Sequence, residues 1–190
     1  MRFTKTELEG VVLVEIDRIS DDRGFFARVW CQDEFAQQGL EPNWVQDNVG
    51  RSIRAGTLRG MHYQEEPHAE AKLVRCTRGE VYDVALDLRP SSPSYLKWVG
   101  VTLGADDHTM LYIPEGCAHG YQTLADDSEI VYFTTARYAR DAATGARFDD
   151  PAFGIEWPLP VEVISEQDAG WDLWPRSSID GARQPARYAQ

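Results

Sequence analysis

The chain has 190 residues, with 31 acidic side chains against 19 basic ones and a formal net charge of -12; that balance leaves no material for the basic stripe that nucleic-acid phosphates require, so no nucleic-acid partner is expected. Its length suits one domain with a substantial core, expected over 1–175 and followed by a polar tail over 176–190. No apolar leader, no run long enough to span a bilayer and three scattered cysteines, Cys31, Cys76 and Cys117, point to a cytoplasmic protein with reduced thiols and no membrane partner.

From Gly10 onward short apolar or alternating runs are separated by turn residues, the pattern of an all-β sandwich or barrel. Residues 11–16 read as a strand, Asp21-Asp22-Arg23-Gly24 as a turn, 25–30 as a short strand and 33–38 as a brief helix closed by Gly39. Strands then crowd together at 44–48, 57–64, 72–78, 81–88, 97–103, 109–113, 120–124 and 129–135. The runs 72–78 and 81–88 read as a hairpin turning at Arg78-Gly79, which would set Lys72 near Asp83 across the ladder. Periodicity leaves open whether these two charges face inward or lie on the solvated face of an edge hairpin.

Leu58-Arg59-Gly60-Met61-His62-Tyr63-Gln64 and Pro114-Glu115-Gly116-Cys117-Ala118-His119 are similar to the two signature turns of a cupin barrel. Gly56 and His62 fit that frame, but Gln64 stands where a second metal-binding histidine belongs and Glu70 is the one carboxylate near the remaining slots. A divalent site in such a pocket wants three or more imidazole or carboxylate ligands, so the expectation is no metal, no other cofactor and proton chemistry done by side chains. Arg59 and His62 are three positions apart and face opposite ways in a regular strand; only an irregularity near Gly60 would turn both into one cavity. His119 is either a capped loop histidine or a second imidazole facing the first. Tyr132 is either core or a phenol able to deliver a proton, while Asp168 falls in a loop-like segment where a carboxylate is usually solvated. His68 and His108 read as loop residues. No Gly-x-Ser-x-Gly elbow, phosphate-cradling loop or dinucleotide fingerprint occurs.

Asp22-Arg23-Gly24-Phe25-Phe26, Gln46-Asp47-Asn48, the His62 turn, Ala71-Lys72-Leu73-Val74-Arg75, Ile113-Pro114 through His119-Gly120, Asp149-Asp150-Pro151 and Ile155-Glu156-Trp157-Pro158 occur in that order. The series, from about Asp22 to Asp168, resembles the dTDP-4-dehydrorhamnose 3,5-epimerase family. The resemblance implies an all-β, metal-free cupin-type double-stranded β-helix, a jelly-roll barrel with a few short peripheral helices, assembled as a homodimer. It implies a nucleotide-linked 4-keto-6-deoxy sugar, dTDP-linked, as the substrate. His62 would be the base that removes a proton beside the C4 ketone, Asp168 its orienting carboxylate, Lys72 the cation at the C4 oxygen and Tyr132 the acid on the opposite face. Arg23 and Arg59 would hold the diphosphate or sugar. Phe26, Gln46 and Asn48 would add contacts, Asp83 and His119 would line the sugar end, and Tyr138 would stack on the base. Arg28, Ala143 and Gln167 depart from the family's two glutamates and one basic residue toward the nucleotide end, leaving another nucleotide or keto sugar open. The alternatives are a C3-only epimerase, a metal-dependent cupin isomerase or oxygenase, and a sugar-nucleotide-binding module without catalysis.

Overall fold

Runs rich in Val, Ile, Tyr and Thr supply most of the thirteen strands, which together with two short helices make up residues 1–175, the part of the chain that the computed structural model describes. The expected tail, 176–190, lies outside the described residues. In chain order come β1 (Arg2–Lys5), β2 (Val12–Glu15), β3 (Ile19–Asp21), β4 (Gly24–Phe26), α1 (Gln32–Gln37), β5 (Gln46–Ser52), β6 (Leu58–Gln64) and β7 (Lys72–Arg78). There follow β8 (Glu80–Asp87), β9 (Trp98–Gly104), β10 (Met110–Ile113), β11 (Cys117–Thr123), β12 (Ser128–Thr134), β13 (Ala143–Gly145) and α2 (Glu166–Ala169).

The larger sheet has the order β1-β2-β10-β7-β12-β5 and the smaller β13-β6-β11-β8-β9, all pairs antiparallel, while β3 and β4 make a separate hairpin. Val74, Leu111 and Ile130 of the larger sheet meet Val81, Ala85 and Leu103 of the smaller in one buried cluster. The outer faces are covered as well. Phe35 of α1 packs on Val12, Val14, Leu73 and Met110, and its complete burial is worth about 1.5–3 kcal/mol. Over the smaller sheet, Phe153, Trp157 and Trp174 cover Val84, Leu86 and Ala118. Because β8 is buried on both faces, it carries the continuous run Val84-Ala85-Leu86 and not a strict alternation. Two facing antiparallel sheets joined by chain that passes from one to the other make a cupin-type jelly roll, the expected fold class.

The expected hairpin of 72–78 with 81–88 does not form. Gly79 turns the chain at φ +70, and a Cβ there would sit 2.5 Å from the Ser128 hydroxyl, but the turn carries the chain from one sheet to the other. β7 lies between β10 and β12, and β8 between β11 and β9. Lys72 therefore pairs with Ile113 and Thr134, and Asp83 with Tyr121 and Val101. Both charges are buried, so neither lies on a solvated edge. The strand expected at 25–30 shrinks to Gly24–Phe26 in the hairpin, and the one at 44–48 moves to Gln46–Ser52 at the sheet edge. β13 is built from Ala143, Thr144 and Gly145, which carry no apolar alternation to announce it.

Candidate active site

A cavity of about 630 Å³ opens between the sheets, walled by β5, β6, β7, β11, β12 and the segment 163–171. On β6 the chain departs from regular pairing. His119 lies opposite His62 and Tyr121 opposite Arg59, so three steps along β6 match two along β11. The extra residue falls at Gly60-Met61, the irregularity expected from the spacing. Gly60 has φ +123, and a Cβ on it would stand 2.5 Å from the Gly120 α-carbon and 2.8 Å from the His119 carbonyl oxygen, so only glycine fits. Met61 turns into the outer core while Arg59 and His62 both line the cavity.

His62 Nε2 lies 2.7 Å from Asp168 Oδ1, and Asp168 Oδ2 accepts the Gly60 N–H at 3.1 Å. The carboxylate is 4% exposed. It sits in α2, a single turn capped by Ser165, whose Oγ accepts the Asp168 N–H at 3.0 Å; the loop with a solvated carboxylate read from the sequence is replaced by a buried one. Burial alone would raise the Asp168 carboxyl, but hydrogen bonds from His62, Gly60 and Ser165, with the His62 charge, outweigh it and hold it below the usual carboxylate range. An ionised carboxylate can only accept, so Nε2 carries a proton, and in the neutral ring Nδ1 holds the free lone pair.

Lys72, 5% exposed, extends from β7 into the same cavity. Its Nζ donates to the His62 carbonyl at 3.1 Å and pairs with Glu70 Oε1 at 3.2 Å, so one of three ammonium protons stays uncommitted. Ile130, Tyr132 and Thr134 alternate along β12 and line the cavity from the larger sheet, opposite His62 on the smaller. Burial, then the Glu70 charge, pushes the Tyr132 phenol up, against the pull of Arg59; the hydroxyl is therefore a proton donor at neutral pH. The ring of Tyr132 is 6.5 Å from that of His119, and His119 Nε2 bonds Asp83 Oδ1 at 2.8 Å. Asp83 does not line the cavity: it is buried behind His119, with Oδ2 unpartnered.

Toward the mouth, Arg59 donates from Nε to Ser52 Oγ at 3.2 Å and from Nη2 to the Arg51 carbonyl at 3.1 Å. Gln46 donates to Asn48 Oδ1 at 2.9 Å and accepts the Tyr138 N–H at 3.2 Å, beside an exposed Tyr138 ring. Arg23 and Phe26 are elsewhere. They project from the β3–β4 hairpin, the Arg23 side chain 89% exposed and paired with Asp21, and Phe26 74% exposed. Sequence reasoning missed Trp171 and Tyr121, which also line the cavity, and saw Glu70 only beside unfilled ligand slots. The signal for Glu70 was its place two residues before Lys72, on one face of an extended chain. For Trp171 the partner was Gly145, on which a Cβ would lie 2.2 Å from the indole. Among the described residues no group of three His, Cys, Asp or Glu side chains is arranged to hold a metal ion.

A cupin-type jelly roll whose pocket gathers an imidazole, a carboxylate, an ammonium and a phenol defines a class: cupins whose pocket side chains can move protons. A profile of the dTDP-4-dehydrorhamnose 3,5-epimerases matches residues 5–175. The Shigella flexneri dTDP-4-dehydrorhamnose 3,5-epimerase is 44% identical over 169 residues, 88% of this chain and 93% of that protein. The crystal structure of the Elizabethkingia anophelis enzyme of that name superposes with a TM-score of 0.89 at 34% identity, over 92% of this chain and 96% of that one. The Bacillus anthracis enzyme, solved with TDP and PPi bound, gives 0.88 at 35% identity over 91% and 99%. The chain belongs to the dTDP-4-dehydrorhamnose 3,5-epimerase family.

Proposed function

We propose that this protein epimerises a dTDP-linked 4-keto-6-deoxy sugar by removing a proton beside the C4 ketone from one face and returning one to the other. The observation that carries this reading is that His62 and Tyr132 line one cavity from opposite sheets. His62 Nδ1 takes the proton, and its Nε2–H held by Asp168 supports the imidazolium that results. The uncommitted proton of Lys72 meets the C4 oxygen as it becomes an enolate, in a pocket where a fixed cation acts strongly. Tyr132 then protonates the carbon from the far face, and both groups reset by exchange with solvent. Arg59 binds the diphosphate, His119 backed by Asp83 contacts the sugar, and Gln46, Asn48 and Tyr138 meet the nucleotide. TDP in the Bacillus anthracis relative supports the nucleotide choice.

The finer assignments rest on further observations. A homodimer fits the exposed apolar side chains of Ile19, Phe26, Val49 and Ile53 and would let Arg23 and Phe26, which stand outside the 630 Å³ cavity of their own subunit, act in the partner's. Three free thiols agree with a cytoplasmic protein, and the charge of -12 with the lack of a nucleic-acid partner. Among the described residues no helix is long and apolar enough to cross a membrane.

The test is solvent exchange in D2O with a dTDP-linked 4-keto-6-deoxyhexose. The expected result is deuterium at C3 and C5 with the wild type. His62→Ala should lower exchange by about 10²–10⁴-fold with nucleotide affinity kept, and Tyr132→Phe should exchange without inversion. Label at C3 alone assigns a C3-only epimerase; no label at either carbon overturns the proposal.

A further inference from the structure

Glu70 has no part in the reaction as described, yet it contacts the group that meets the enolate. Its side chain is 11% exposed, it lines the cavity just before β7, and its Oε1 lies 3.2 Å from Lys72 Nζ. The other oxygen, Oε2, accepts from Gln64 Nε2 at 3.2 Å. Gln64 is itself locked: Nε2 also donates to the His68 carbonyl at 2.9 Å and reaches that of Arg137 at 3.3 Å, while Oε1 accepts the Ala139 N–H at 2.7 Å. At the position where a cupin metal ligand would stand, this chain has a bracket that fixes a carboxylate. Lys72 is thereby held from two sides, by Glu70 and by the backbone carbonyl of His62, the residue of the base.

We propose that Glu70 is a positioning residue for the electrophile: together with the His62 carbonyl it fixes the head of Lys72 so that one N–H stays free and aimed at the substrate oxygen. The inference rests on the role given above to Lys72. Its physical basis is that a charged head on a flexible four-carbon stem keeps one position only where fixed acceptors engage it, and a cation stabilises an enolate best when it is already in place as the charge develops. The Glu70 charge also adds to burial in raising the Tyr132 phenol.

The other charged and titratable groups around this pair act differently. β6 contributes Arg59, His62 and Tyr63, and β11 His119 and Tyr121, with Asp83 of β8 behind His119. Arg59 works against Glu70 at Tyr132. Asp168 of α2 is committed to His62 and Gly60. Among the described residues, Glu70 is the one carboxylate paired with Lys72.

Glu70→Gln removes the charge and keeps the shape. The chain has three lysines, Lys5, Lys72 and Lys97, so protein labelled with ¹³C-lysine gives a spectrum in which a Lys72→Met variant identifies the one resonance of interest. The expected result is that the Lys72 side-chain resonance moves in Glu70→Gln, as the head of Lys72 is released, while those of Lys5 and Lys97 stay in place. The value of kcat should fall about tenfold or more while KM stays within about threefold, because Glu70 holds Lys72 and does not bind substrate. Glu70→Asp, which retains the charge, should restore most of both effects. An unmoved Lys72 resonance in folded Glu70→Gln, or an equal effect from Glu70→Asp, overturns the proposal. Should the wild type show no epimerase activity, the proposed reaction fails while the Lys72 resonance still decides the role of Glu70.

Discussion

Asp168 carries a charge where a carboxyl would ordinarily lose it. Burial pushes it up, but the hydrogen bonds from His62, Gly60 and Ser165 hold it down. A carboxyl whose folded value lies below its unfolded value of about 3.9 contributes stability that is present above about pH 4 and is lost as pH falls through the folded value. Asp168→Asn should therefore cost about 1–3 kcal/mol at pH 7, and the gap between wild type and variant should narrow in urea melts near pH 3. A gap constant across that range would mean that Asp168 is not the ionised partner of His62. The variant should also lose turnover, because the amide can no longer balance an imidazolium. At this scale the residues were legible in part: His62 drew attention by its neighbours, whereas Lys72 and Tyr132 stood as open alternatives until the family resemblance gave them roles. The burial of Asp168 was not, since nothing in Ser165-Glu166-Gln167-Asp168 says which strand that segment lies against.

At the scale of elements, the bulge in β6 decides whether Arg59 and His62 share a cavity. Two costs meet at Gly60, a backbone at φ +123 and a Cβ position overlapping β11, whereas Gly24 has nearly the same backbone, φ +121, and open space around it. Gly60→Ala should destabilise by about 2–4 kcal/mol and abolish turnover, while Gly24→Ala should cost only about 1 kcal/mol of backbone strain. Thermal melts of the two variants test this; equal shifts would show that contact with Gly120 does not matter. The bulge was foreseeable because a spacing of three positions between two inward side chains contradicts a period of two. The fate of the turn at Gly79 was not foreseeable. Its glycine marks a reversal of the chain, but whether the next strand joins the same sheet depends on β10, β11 and β12, all more than twenty residues further on.

For the whole molecule, β5 is an open edge of the larger sheet, followed by Ile53 at 77% exposure, and the β3–β4 hairpin presents Ile19 and Phe26 to solvent. A paired edge and covered apolar side chains are the usual remedy for such a surface. Sedimentation of the wild type at micromolar concentration should give twice the chain mass of 21.5 kDa. Ile53→Lys should shift it toward the monomer and lower kcat/KM if Arg23 and Phe26 serve the partner's pocket. A wild type that sediments as an active monomer would remove both ideas.

Turn chemistry and period-two patterning are written in neighbouring residues, and the sequence by itself determined from them an all-β chain. Tertiary structure alone decided which sheet each strand entered, that His62 and Tyr132 would face one cavity, and that Glu70 would hold Lys72. The reason is range. A bond such as that between His62 and Asp168 spans 106 residues, and it exists only after nonlocal strand pairing has paid the entropy of bringing those segments together.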